Sequence, residues 1–220
     1  MRNIKYKNGF WYHVFNRGVD GRDIFCDEND YRRFLLSMVK FNNLEPIGGL
    51  FRGDKCVKPG KEIENNSYCI NVEDVLVDVA CYCLNKNHYH FVLRQKIDDG
   101  ISKFMQKIGM GYTHFFNIKY ARSGSLLQGA YKSVYIKSTE QLLYLSAYVN
   151  GNAEIHGISQ ADEWAWSSYG DYLGGGNSKY IKKNIILDEF ESINGYRKYF
   201  EATVKEAKRR KKELREFLLE

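Results

Sequence analysis

No apolar run in the chain approaches the ~20 residues that a membrane-spanning helix needs, and 27% of the residues are charged, which argues against a membrane protein. The start, MRNIKYKNGFWYHVFNRG, is basic but has no continuous apolar signal core and no small-residue cleavage site, so a cytoplasmic protein is expected. The five cysteines are Cys26, Cys56, Cys69, Cys81 and Cys83. An odd count with no CxxC and no repeated spacing argues against a disulfide framework and against a zinc finger, and all five read as reduced and structural. No internal repeat is evident. Proline is scarce, and both copies, Pro46 and Pro59, fall in the Gly-, Asn- and Lys-rich stretch 44–72, which reads as a loop or an irregular hairpin.

What is present suits a single globular unit with an appendage. The 220 residues are 44% hydrophobic and 15% aromatic, enough to bury a sizeable core. The net charge of +6 tilts the partner toward a polyanion, nucleic acid above all, because neutralising phosphates releases counterions.

FWYHVFNRG (10–18) has the aromatic and β-branched character of a strand. DENDYRRFLLSMVKFNN (27–43) predicts a helix, with an acidic first turn and Phe34, Leu35, Met38 and Val39 at helical spacing. Strands are expected over 72–84 and 88–95, joined at Asn85-Lys86-Asn87. A helix over 99–121 should break or kink near Gly109 and Gly111. A loop (122–133), a short strand (134–138) and a helix from Thr139 to about Asn152 follow. Trp164 and Trp166 read as packing anchors that close the compact part. The remainder reads as helix, with Tyr196, Phe200 and Val204 on one face and KRRKK (208–212) as a solvated face. This order predicts an α+β fold, an antiparallel sheet with helices packed on it. The expected division is a core unit, 1–175, and a helical C-terminal extension, 176–220.

The stretch LNKNHYHFVL (84–93) carries the chemistry. Side chains alternate along a strand, so His88 and His90 share a face while Tyr89 takes the other. Two imidazoles there are either a polar strand face or half of a metal site. The helix from Thr139 offers a phenol and an amide one turn apart, Tyr148 and Asn152, on one helix face. If that helix crosses the His pair, imidazoles and amide can hold a divalent ion beside the phenol. Imidazole and amide donors suit Mn²⁺ and, less ideally, Mg²⁺. Tyr144, one turn earlier, is the main rival nucleophile, with Tyr112 and Tyr120 behind it. His13, His114 and His156 show no partner pattern and read as structural or solvent-facing.

The HYH triplet, with NRGVDGRDIFCDENDYRRFL, YTHFFN, GSLLQGAYKS, YVNGN and EWAWSS in that order, resembles the IS200-like tyrosine transposases of the HUH type, in particular their REP-associated branch. The resemblance covers roughly residues 10–172. It implies a ferredoxin-like sheet and a metal-dependent endonuclease and strand transferase acting on single-stranded DNA with a hairpin. It also implies a 5′-phosphotyrosine intermediate and a homodimer. By motif position Tyr148 matches the nucleophile, His88 and His90 the metal pair, and Asn152 the third ligand, with Mg²⁺ or Mn²⁺ as cofactor. Arg17, Arg22, Arg122 and Lys132 stand beside the motifs as expected phosphate contacts. The chain departs from the family pattern at Ala130, Ala153 and Ala165, where an Arg, a Pro and a Pro are usual, and 44–72 is longer. The Ala130 change puts one DNA contact in doubt. The competing reading is a domesticated protein that binds hairpins or single strands without cleaving them.

Overall fold

Strands and helices alternate along the first half of the computed structural model, in which residues 5–44, 75–175 and 178–217 are described, with side chains to residue 214. β1 (Trp11–Arg17) leads through a 3-10 turn (Val19–Gly21) to α1 (Glu28–Lys40). β2 (Val77–Asn85) and β3 (His88–Gln95) form a hairpin, and α2 (Gly100–Lys119) precedes β4 (Lys132–Tyr135). The strands lie in the order β2-β3-β1-β4, each antiparallel to its neighbours. A β-α-β-β-α-β chain in that order is the ferredoxin-like arrangement. The expected loop 44–72, with Cys56 and Cys69, lies outside the described residues except at Leu44.

Alternation sends one set of strand side chains to each face of the sheet. Tyr12, Val14, Tyr89, Phe91 and Leu93 are buried on the face covered by α1 and α2, where Phe34 sits against both Tyr89 and Phe91. The acidic start of α1 closes as a capping box between Asp27 and Asp30, which satisfies backbone N–H groups the helix cannot. The other face carries His13, Phe15 and Arg17 of β1 beside Val92, His90 and His88 of β3.

α3 (Thr139–Asn150), capped by the Ser138 hydroxyl accepting from Gln141 N, packs over the β2 and β3 half of that second face. A four-residue helix, α4 (Asn152–Ile155), follows at once. Then come α5 (Tyr169–Tyr172), α6 (Asn184–Leu187) and the long α7 (Ile193–Phe217). The Trp segment is stitched along β2: Leu84 N donates to Trp166 O, Trp164 Nε1 donates to Leu84 O, and the Trp166 ring stacks on Tyr31. Both tryptophans are therefore packing anchors, as expected.

Two helix expectations need correction. The helix from Thr139 ends at Asn150, not Asn152, and a separate short helix starts at Asn152; α7 lies against the intervening Gly151 so closely that a Cβ there would sit 2.4 Å from Val204 Cγ2. α2 runs unbroken through Gly109 and Gly111. At Gly111 a Cβ would come within 2.6 Å of the Phe41 ring, so this glycine admits a close neighbour and introduces no break. The expected apolar face of the tail is present: Tyr196, Phe200 and Val204 are buried, with Phe200 stacked on Tyr169 and Tyr196 accepting from Asn150 Nδ2.

Candidate active site

The β-hairpin and the α3–α4 junction bring four of the sequence-predicted residues together. On β3, His88 and His90 point to the face that α3 covers, their rings 5.2 Å apart and nearly perpendicular. Asn152, fully buried at the start of α4, places its Oδ1 3.0 Å from His88 Nε2. Tyr148, half-buried on α3, stands edge-on to His90 with ring centroids 6.3 Å apart. Tyr144 is stacked behind Tyr148, centroids 6.1 Å apart, and lies one turn farther along α3. Tyr112 and Tyr120 are engaged elsewhere, their hydroxyls donating to Ile24 O and Asp30 Oδ2.

The proton positions follow from the partners. His88 Nδ1 lies 2.7 Å from Asn87 Oδ1, which can only accept, and Asn87 is oriented by donating Nδ2 to Gly21 O. Neutral His88 therefore carries its proton on Nδ1 and presents a bare lone pair at Nε2. That lone pair and the Asn152 carbonyl oxygen are both acceptors, yet they approach to 3.0 Å. Asn85 makes this tolerable, donating Nδ2 to Asn152 Oδ1 at 2.6 Å and to His88 Nε2 at 2.9 Å. The Cys83 thiol, 3.6 Å from Asn85 Oδ1, fixes which way that amide faces. Asn152 Nδ2 is buried with no partner among the described residues. A buried orphan costs ~1–3 kcal/mol, and here it accompanies the turning of Oδ1 toward His88.

Two acceptors converging on one point suit a cation. At metal–donor distances of ~2.1 Å, neighbouring donors on an octahedral ion lie ~3.0 Å apart, the spacing found here. The donor set of two imidazoles and an amide oxygen therefore fits a divalent ion. Among the described residues no three His, Cys, Asp or Glu side chains are placed to hold a metal ion by themselves, so such a site depends on the Asn oxygen.

Burial favours the neutral form of both imidazoles. It lowers the His88 pKa, opposed by the Asn152 contact and reinforced by Lys211. It lowers His90 well below the ordinary value, and His13, His88 and His156 add to this. The Tyr148 phenol is moved the other way, raised by burial and then by Tyr144, with the nearby Asn152 amide acting against both.

Three residues of this site had no signal in the sequence. His13 Nε2 lies 2.9 Å from His90 Nδ1 across the β1–β3 pair. The His156 ring lies 4.9 Å from that of His88. Asn85 stands opposite His88 in the hairpin register. His13 and His156 had read as partnerless, because only the strand register and the turn after α4 bring them in. His114 is exposed, as expected.

The four basic residues are less concentrated. Arg17 ends β1 opposite His88 and donates Nε to Gln128 Oε1. Lys132 is exposed at the start of β4, opposite Phe15. Arg22 donates Nε to Val19 O and is exposed. Arg122 braces its own loop, donating to Asn117 Oδ1 at 2.6 Å and to Ser125 O at 2.9 Å. Only Arg17 and Lys132 thus flank the His face through the strand register.

The fold and site define an antiparallel α+β protein with an HxH strand covered by a tyrosine-bearing helix. No family model and no curated protein matches the sequence. Among solved structures, a REP-associated tyrosine transposase bound to a REP hairpin is similar, with a TM-score of 0.55 at 15% identity, over 79% of this chain and 84% of that one. At that identity the likeness is one of fold.

Proposed function

We propose that the protein is a metal-dependent endonuclease and strand transferase for single-stranded DNA, with Tyr148 as nucleophile and His88, His90 and Asn152 holding Mg²⁺ or Mn²⁺. The observation that carries this reading is the convergence of His88 Nε2 and Asn152 Oδ1 to 3.0 Å, with Tyr148 edge-on to His90 beside them. The similar transposase, bound to a hairpin, supports a hairpin-bearing single strand as substrate.

Each residue has a task the geometry suits. Asn87 and His13 take the Nδ1 side of His88 and His90, which leaves Nε2 of each ring as the ligating nitrogen. α3 holds Tyr148 over one end of the His pair. Its Oη attacks phosphorus, the P–O3′ bond breaks, and the DNA 5′ end remains on the phenol as a phosphotyrosine. The departing 3′ oxygen takes up a proton, and the phenol proton is lost to solvent. A bound divalent ion would supply electrophilic polarisation of the phosphate. Burial opposes ionisation of Tyr148, so the phenolate is not populated in advance and attack needs a polarised phosphate. A face half-covered by α3 leaves Lys132 and Arg17 exposed alongside.

One observation favours the second reading, a hairpin or single-strand binder without catalysis. The Asn85 amide already bonds both His88 Nε2 and Asn152 Oδ1. An enzyme must move that amide aside to load a metal, whereas a binder need not. The test is a denaturing gel of protein incubated with labelled hairpin DNA from the flanks of its own gene, with and without Mn²⁺. A metal-dependent shifted band that survives denaturation is expected. Tight binding with no band and no Mn²⁺ uptake by calorimetry would favour the binder.

A further inference from the structure

The run KRRKK is divided by the helix that carries it. Arg209 bonds Glu206 and Glu213 and Arg210 bonds Glu206, pairs that run along the outer side of α7. Lys208, Lys211 and Lys212, at i, i+3 and i+4, lie on another face. All three line a groove of about 710 Å³ between α7 and the turn that follows α4, together with His156, Ser159 and Gln160.

The groove is anchored to the site. Lys208 Nζ pairs with Glu154 at 2.7 Å, and Lys211 Nζ donates to Ile155 O, both on the helix that begins with Asn152. His156 forms part of the groove wall, and its ring lies 4.9 Å from His88. The groove therefore opens at the edge of the His pair. The charged side chains that line it are Lys208, Lys211 and Lys212 against Glu154 and Glu163. The ammonium of Lys211 acts electrostatically on both His88 and His156, as expected of a cation held at the site's edge.

We infer that the groove between α4 and α7 is a track for the phosphates of the single strand adjoining the cleaved bond, read by Lys211 and Lys212. This rests on the proposed single-strand substrate but not on cleavage. It gives the C-terminal helix a part in substrate binding in addition to covering α3. Phosphates spaced along an unpaired strand need point charges on a flexible stem, which lysine supplies.

The test is the salt dependence of binding of fluorescein-labelled (dT)20 to the full chain, for the wild type, for Lys211→Gln with Lys212→Gln, and for Arg209→Gln with Arg210→Gln. All four side chains are exposed, so circular dichroism should match throughout. Losing two phosphate contacts should flatten the log–log salt slope by ~1.4 and weaken binding at low salt by ~10-fold. The arginine pair should change neither. An unchanged slope in the lysine variant, or an equal loss in the arginine variant, overturns the track. Adduct formation on the hairpin substrate is scored separately. Wild-type protein that binds (dT)20 with the expected lysine dependence but forms no adduct would sink the endonuclease reading and leave the groove standing.

Discussion

His13 Nε2 lies 2.9 Å from His90 Nδ1, both rings buried and nearly parallel. A neutral His90 that keeps its proton on Nδ1 donates to His13 and leaves Nε2 for a ligand. Removing the acceptor frees the ring to take the other tautomer. Replacing such an orienting partner typically weakens metal binding by ~10–100-fold. His13→Phe should lower Mn²⁺ affinity by that amount in calorimetry at pH 7.5, with an unchanged far-ultraviolet spectrum. His13→Gln, which retains an acceptor, should recover much of it. Equal affinity in wild type and His13→Phe would mean that His13 only fills space.

Tyr148 and Tyr144 differ in what they face. Tyr148 is edge-on to His90, and Tyr144 is stacked behind it. Tyr148→Phe should abolish the denaturation-resistant DNA adduct while leaving hairpin affinity within about two-fold. Tyr144→Phe should retain the adduct. The reverse pattern on the same gel would transfer the nucleophile assignment to Tyr144.

The sequence was most legible where one element carries the signal. Alternation in HYHFVL put His88 and His90 on one face, and the acidic turn before Tyr31 marked the start of α1. Tyr148 and Asn152 were legible as a pair because four residues separate them. What escaped was everything set by register or by a partner across the fold. His13 lies 77 positions from His90, and no local pattern states which β1 residue faces which β3 residue. Asn85 read as part of a turn, although it closes β2 and is buried opposite His88. α3 gives way to α4 at Gly151, against which Val204 packs from 53 residues farther on, and helical periodicity alone carried past that junction to Asn152.

Gly151 makes this dependence testable. A methyl group at that position would overlap Val204 Cγ2 at 2.4 Å and crowd the Phe200 ring at 3.2 Å. Overpacking of this kind costs ~1–3 kcal/mol. Gly151→Ala should lower the urea midpoint accordingly, and Val204→Ala in the same chain should restore part of the loss. If Gly151→Ala is neutral, the close approach of α7 to the α3–α4 junction is wrong. Mn²⁺ affinity should fall with stability in this variant, since Asn152 is the next residue.

Acid should weaken the metal-free protein through the same histidines. Burial pushes the His13 pKa down to about 4, and it pulls His90 down as well. In the unfolded chain both titrate near 6.5. Between those values the unfolded chain binds more protons, so stability rises with pH; it is fully present above ~6.5 and is lost as pH falls toward 4. For His13 alone the shift corresponds to on the order of 3 kcal/mol. In EDTA, the urea midpoint should therefore drop between pH 7 and pH 4.5, and His13→Phe should flatten that drop. Saturating Mn²⁺ should raise the midpoint most at pH 7 and progressively less toward pH 5, because protons and metal compete for the same imidazole lone pairs. At ~100 times its dissociation constant the ion should add ~2.7 kcal/mol, and this increment should vanish in Asn152→Ala. A wild-type midpoint that ignores both pH and Mn²⁺ would show that neither the burial of these rings nor their convergence with Asn152 exists in solution.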